Sequence, residues 1–160
     1  MSASLDTVLD RAAAQCARRG AQLTELRRQV LRLVLEAEQP VGAYALLDKL
    51  RSLRSGAAPP TVYRALDFLL EQGLIHKLER LNAFLGCVET GQEEHAHDHG
   101  EGQHDHPHQF LICRTCGTTA EISDPGIAAA LASASADAGF TLHRATVEAE
   151  GICAGCAGSA

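Results

Sequence analysis

Tryptophan is absent from this 160-residue chain, methionine occurs once, and aromatic residues make up only 4%. A core built without large aromatic side chains has little apolar area to bury per residue, so metal staples are physically reasonable here. The length admits one domain of ordinary size or two small ones. No apolar run approaches the roughly 20 residues that span a bilayer, and a membrane role is not expected. The first twenty residues carry acids and lack an unbroken apolar centre, so they do not read as a secretory signal. The expected compartment is the cytoplasm, where paired cysteines are metal ligands more often than disulfides.

Positive charge is scarce in one half only. Residues 1–86 hold 12 Lys and Arg against 9 Asp and Glu, a balance of +3, whereas residues 87–160 hold 2 against 11, a balance of −9. The net charge of −6 therefore joins a mildly basic module to an acidic one. An acidic total does not exclude a local nucleic-acid footprint.

Helical periodicity dominates the basic half. Residues 5–19 carry an apolar stripe of Leu5, Val8, Leu9, Ala12 and Cys16, stopped by Gly20. Cys16 has no neighbouring Cys or His and reads as an inert buried thiol. Residues 24–36 form a second helix capped by Thr24, with Arg27, Arg28 and Arg32 off its stripe, toward phosphates or simply toward solvent. Residues 43–53 and 60–72 give a third and a fourth helix. Tyr63 and Arg64 fall in the first turn of the fourth, away from its buried face of Val62, Leu66, Leu69 and Leu70, where a recognition helix reaches base edges. After Gly73 the pattern is extended, over 74–79 and 83–88. A two-residue turn at Leu81-Asn82 would set Leu78 opposite Leu85 and His76 opposite Cys87, making a bidentate metal grip. Helices followed by a hairpin in this order predict a winged helix-turn-helix over residues 1–88.

Residues 89–108 read as a hinge and loop. Between 89 and 105 the chain is acidic, Gly-rich and nearly free of apolar side chains, and it carries His95, His97, His99 and His104, so a mobile loop is expected. Strands over 109–113 and 118–123, a helix from Pro125 to Ala138 and a long strand over 140–150 complete a β-β-α-β unit spanning 109–160. The overall fold class is α+β, with the winged helix followed by this small α/β unit. Cys113-x-x-Cys116 and Cys153-x-x-Cys156 bracket the unit. Four thiolates suit a closed tetrahedral Zn²⁺ site of structural type, with a helix and a strand filling the 36 residues between the pairs. Neither pair is expected to open a helix after a parallel strand, which argues against a thioredoxin-like redox site.

The run PPTVYRALDFLLEQGLIHK at residues 59–77, continued through both C-x-x-C pairs, resembles the ferric uptake regulator family, in particular its zinc uptake regulators. The resemblance covers nearly the whole chain apart from the histidine-rich insert. It implies a homodimer on double-stranded operator DNA, with residues 109–160 as the dimerisation domain and its sheet extended across two subunits. It places Tyr63 and Arg64 on DNA. It also places Asp48 and Arg51 where neighbouring dimers pair, so that two dimers share an operator, although an i,i+3 ion pair within one helix explains them as well. Two Zn²⁺ ions per subunit follow: the structural four-cysteine site, and a regulatory site of His76, Cys87, Glu121 and a histidine. For the last, His106 has the family spacing of seven residues before Cys113. His108 is a further candidate, and Pro107 between them departs from the pattern. His143 stands one position from a family histidine and is left out.

The implied function is repression of zinc uptake genes when the regulatory zinc is bound. An iron or peroxide sensor of the same family is the nearest rival, and the thiolate of Cys87 speaks against it. A zinc-buffering protein or metallochaperone would explain the histidines but leave Tyr63 and Arg64 unused. A zinc deaminase needs a P-C-x-x-C segment and an open coordination position. Neither C-x-x-C follows a proline, and no enzymatic role is expected.

Overall fold

The computed structural model describes residues 4–87 and 108–158. The chain divides into two compact units, Met1–His95 and Ala96–Ala160. None of the helices among the described residues is long and apolar enough to cross a membrane.

Four helices form the core of the first unit: α1 (Leu5–Arg18), α2 (Glu25–Glu36), α3 (Ala43–Leu53) and α4 (Pro59–Glu71). Side chains of Ser4 and Thr24 satisfy N–H groups at the starts of α1 and α2, accepting from Thr7 N and Arg27 N. Pro59 and Pro60 occupy the first positions of α4, where a missing N–H costs nothing. Leu9 and Cys16 of α1, Val30, Leu31 and Val34 of α2, Leu46 and Leu50 of α3, and Val62, Leu66 and Leu69 of α4 form one buried cluster. Leu70, expected inside, is only partly buried. Arg28 bonds Asp10 at 2.7 Å and Arg32 bonds Asp6, tying α2 to α1 across their solvent edges. Two of the three arginines that the sequence leaves open to phosphate are thus engaged within the unit. The third, Arg27, lies 3.7 Å above the Phe68 ring centroid.

A hairpin of β1 (Ile75–Leu78) and β2 (Ala83–Gly86) follows α4. Its register corrects the sequence expectation. Leu78 pairs with Ala83 and His76 with Leu85, not with Cys87. The connecting turn has four residues, 79–82, closed by Asn82 N donating to Glu79 O at 3.3 Å. Either two-residue turn favoured in hairpins needs positive φ at its first central residue, here Leu81. Asn82 alone adopts it, at 46°; for Leu81 that conformation would cost roughly 1–2 kcal/mol. Val41 adds a bridge on the other side, exchanging bonds with Phe84 at 2.9 and 2.8 Å, and so holds this register. A shift of two residues preserves the face, so His76 and Cys87 remain on one side, as diagonal neighbours.

The second unit is a three-stranded sheet ordered β4-β3-β5, with β3 (His108–Cys113) at its centre. β4 (Thr119–Ile122) runs antiparallel to it, and β5 (Thr146–Gly151) parallel, after α5 (Pro125–Asp137). β5 is shorter than the expected strand over 140–150. It can pair only where β3 offers a partner, from His108↔Thr146 to Cys113↔Gly151. Gln109, buried on β3, clamps the loop before α5: its amide donates to Asp124 O at 3.0 Å and accepts from Asp124 N at 3.1 Å. Asp124 in turn caps α5 through Gly126 N and Ile127 N. No side chain of α5 is buried within the unit, and Leu111, Phe140, Leu142 and Ile152 are exposed on the same unit.

Candidate metal centres and nucleic-acid interface

β3 ends at Cys113, and the chain reverses through Cys116 and Gly117, whose φ of 75° suits glycine. Gly117 N donates to Cys113 O at 2.9 Å, closing a knuckle. β5 runs parallel to β3 and delivers Cys153 just past its end. The short helix α6 (Ala154–Ala157), with Cys153 at its N-cap, then turns Cys156 back toward the same point. The second pair therefore does open a helix after a parallel strand, contrary to expectation. Its convergence with Cys113 and Cys116 still favours a metal site over a redox pair. The four sulfur atoms lie within 4.8 Å of one another, and Cys116 Sγ and Cys153 Sγ are 3.7 Å apart. Zn–S bonds of about 2.3 Å in a tetrahedron require edges of about 3.8 Å, so the donor set fits Zn²⁺.

Local donors prepare the thiolates unequally. The backbone N–H of Cys153, 3.4 Å from Cys113 Sγ, and those of Cys116 and Thr115 bring the Cys113 thiol down to about 6. Cys116 is lowered mainly by the Thr118 hydroxyl. Cys156, which shares hydrogen bonds with Cys153 and Cys116, is pushed up to about 12. Cys16, by contrast, is isolated in the first unit and raised by burial, in keeping with an inert thiol.

A different pair of donors stands on the wing of the first unit. The His76 imidazole on β1 and Cys87 Sγ just after β2 come within 4.8 Å of each other. The second unit carries its own pair. His108 Nδ1 lies 3.6 Å from Glu121 Oε1, again a diagonal placement, since Glu121 pairs with Phe110. His106 and the histidines at 95, 97, 99 and 104 lie outside the described residues. His143 is exposed and joins no metal-holding group among the described residues.

On α4, Tyr63, Arg64 and Asp67 share the exposed face. A cavity of about 280 Å³ opens beside it, lined by Tyr63 and Asp67 of α4, by Lys77 and Asn82 of the wing, and by Tyr44 of α3. Tyr44 is 70% exposed and escaped the sequence reading. Its signal was present: a large aromatic side chain at the start of a helix, off the Leu46–Leu47–Leu50 stripe. Asp48 and Arg51 do not pair among the described residues. Arg51 Nε instead donates to Ala57 O at 3.1 Å.

The chain matches the model of the ferric uptake regulator family over residues 18–150. It is 40% identical to the zinc uptake regulation protein of Escherichia coli (strain K12) over 141 residues, which cover 88% of this chain and 76% of that protein. Among solved structures, a zinc uptake regulator complexed with zinc and DNA superposes with a TM-score of 0.81 at 37% identity, covering 98% of this chain and 97% of the other. Holo XcZur superposes with a TM-score of 0.76 at 38% identity, covering 96% and 99%. With helices α2 to α4, the wing and strands β3 and β4 within the matched residues, this chain belongs to the ferric uptake regulator family.

Proposed function

We propose that the chain is a zinc-responsive transcriptional repressor that binds operator DNA as a dimer and controls zinc uptake genes. The observation that carries this reading is the imidazole–thiolate pair of His76 and Cys87 on the wing, in a unit whose exposed helix face offers Tyr63 and Arg64. The relatives support it by what they are: a zinc uptake regulation protein and a regulator solved with zinc and DNA.

Two zinc sites divide the work. Cys113, Cys116, Cys153 and Cys156 hold a structural ion that fastens the C-terminal end of the chain to the central strand. His76 and Cys87 supply half of the regulatory site. We assign the other half to Glu121 and a histidine, His106 by its spacing or the further candidate His108, whose Nδ1 lies 3.6 Å from that carboxylate. Imidazole, thiolate and carboxylate together make borderline donors that suit Zn²⁺. The unburied helix α5 and the exposed Leu111, Phe140 and Ile152 form the surface that the second subunit covers.

When bound, the regulatory ion supplies a bond between wing and dimerisation domain. The protein residues do the rest. They restrict the angle between these parts, so that paired α4 helices match successive major-groove half-sites. Typical coupling of roughly 1–3 kcal/mol changes operator affinity about 5–150-fold. Arg64 supplies the bidentate base contact, with Tyr63 and Tyr44 beside it. Asp48 and Arg51 remain the proposed contact between two dimers on one operator.

Gel retardation of a zinc-uptake promoter fragment, with protein titrated separately with Zn²⁺ and Fe²⁺, tests the reading. Retardation that requires zinc and is not restored by iron is expected. Equal restoration by iron would favour the iron-sensing rival, and retardation indifferent to metal would sink the sensing role.

A further inference from the structure

The roles assigned so far use Tyr63 and Arg64 and leave their neighbour on the exposed face of α4, Asp67, without one. Asp67 lines the cavity between α4, α3 and the wing. Lys77, the cation on that cavity's rim, is taken by Glu79 at 3.3 Å. Among the described residues Asp67 makes no ion pair and no side-chain hydrogen bond, not even with Arg64 one turn before it. A bare carboxylate on a face that meets a polyanion is repelled by phosphates and weakens sequence-independent binding. It becomes favourable only where it meets a donor.

Major-groove donors are the N4 amino group of cytosine and the N6 amino group of adenine. An ionised carboxylate only accepts, and adenine sets its own acceptor N7 beside N6, so cytosine suits it better. Along the axis of α4, Asp67 stands about 4.5 Å beyond Arg64, comparable with the base-pair step of about 3.4 Å. We propose that Asp67 is a specificity-determining residue of the DNA contact, accepting a hydrogen bond from the N4 amino group of a cytosine one or two base pairs from the base read by Arg64. This rests on the operator-binding reading above and adds the base that the carboxylate selects.

The test uses the full-length zinc-loaded protein and a library of randomised duplexes. The selected sequence and each of its single base-pair variants are then compared at one salt concentration. Wild type should show one C·G pair whose replacement costs about tenfold. Asp67→Ala should erase the preference at that pair alone and tighten binding to unrelated duplex. Asp67→Asn should move the preference from cytosine to adenine, because the amide adds the donor that adenine N7 requires. Asp67 is exposed and makes no side-chain bond, so neither substitution threatens the fold. The proposal is overturned if Asp67→Ala keeps every preference or weakens all positions equally. A wild-type protein that selects no sequence with zinc bound would instead remove the operator-binding reading, and the role of Asp67 with it.

Discussion

Cys87 stands diagonally across the wing from His76, two residues beyond Leu85, the residue that His76 faces directly. Diagonal neighbours on one sheet face are farther apart at Cβ than direct partners. Yet the two donor atoms come within 4.8 Å. Both side chains must therefore lean toward a common point, as a bidentate grip requires. Register matters here more than sequence distance. A one-residue slip of the hairpin would send Cys87 to the opposite face, so Asn82 and the Val41–Phe84 bridge are part of the proposed metal site's construction.

Removing one knuckle thiolate should cost the structural zinc and the folded dimer, rather than retune the zinc response. For Cys113→Ser, metal analysis is expected to show one zinc fewer per subunit. Size-exclusion chromatography should show dissociation or unfolding. A variant that stays a folded dimer with full zinc content would refute the structural role.

Zinc uptake at the four-cysteine site should weaken in acid. Hydrogen bonds lower the Cys113 thiol to about 6, whereas its neighbours push the Cys156 thiol up to about 12, so that it holds its proton at neutral pH. Zinc must displace that proton, so affinity falls as pH falls. The stabilisation from Cys113 itself has the sign of a depressed acid. It is fully present above the ordinary thiol pKa of 9.0 and lost as pH falls through about 6. Chelator competition at several pH values between these limits should give steadily weaker zinc binding toward the acid end. A constant dissociation constant would contradict the assignment.

The Gln109 clamp predicts a stability change that comes from hydrogen bonds alone. Gln109→Met keeps the side chain's bulk but leaves both Asp124 backbone groups without their partners. The cost should be about 1–3 kcal/mol, read as a lower denaturant midpoint with zinc saturated. An unchanged midpoint would show that water replaces the clamp freely.

Arginines in the basic half should divide sharply. Arg64 makes no side-chain bond among the described residues, whereas Arg28 is paired with Asp10. Arg64→Ala should cost about 1–3 kcal/mol of operator affinity and relax preference at one base. Arg28→Ala should leave operator affinity nearly unchanged and lower stability by less than about 1 kcal/mol, as an exposed pair would. Comparable losses of affinity in both variants would mean that α2 also meets phosphate.

Much of this architecture was legible in the residues. Thr24 and Asp124 announce helix starts, Gly20 and Gly139 mark ends with left-handed backbone, and the two C-x-x-C pairs converge as their spacing suggests. What the sequence obscured depends on partners distant in the chain. The turn length rests on Val41, some forty residues before Phe84 pairs with it. The true start of β5 depends on where β3 stops offering hydrogen bonds. Arg28 and Arg32 looked available because their carboxylates sit on another helix. Tyr44 was missed because its exposure depends on how α3 packs, and Asp67 because an acid on an exposed helix face reads as solvation until its surroundings are seen.

The central claim, that zinc at the wing controls DNA binding, is tested most directly by fluorescence anisotropy of a labelled operator duplex across a zinc-buffered series. Wild type and Cys87→Ser are compared, with zinc content measured alongside. The wild type should gain affinity about 5–150-fold between zinc-free and zinc-saturated conditions, while Cys87→Ser keeps its structural zinc and stays at the zinc-free level. A Cys87→Ser protein that responds to zinc as the wild type does would contradict the account.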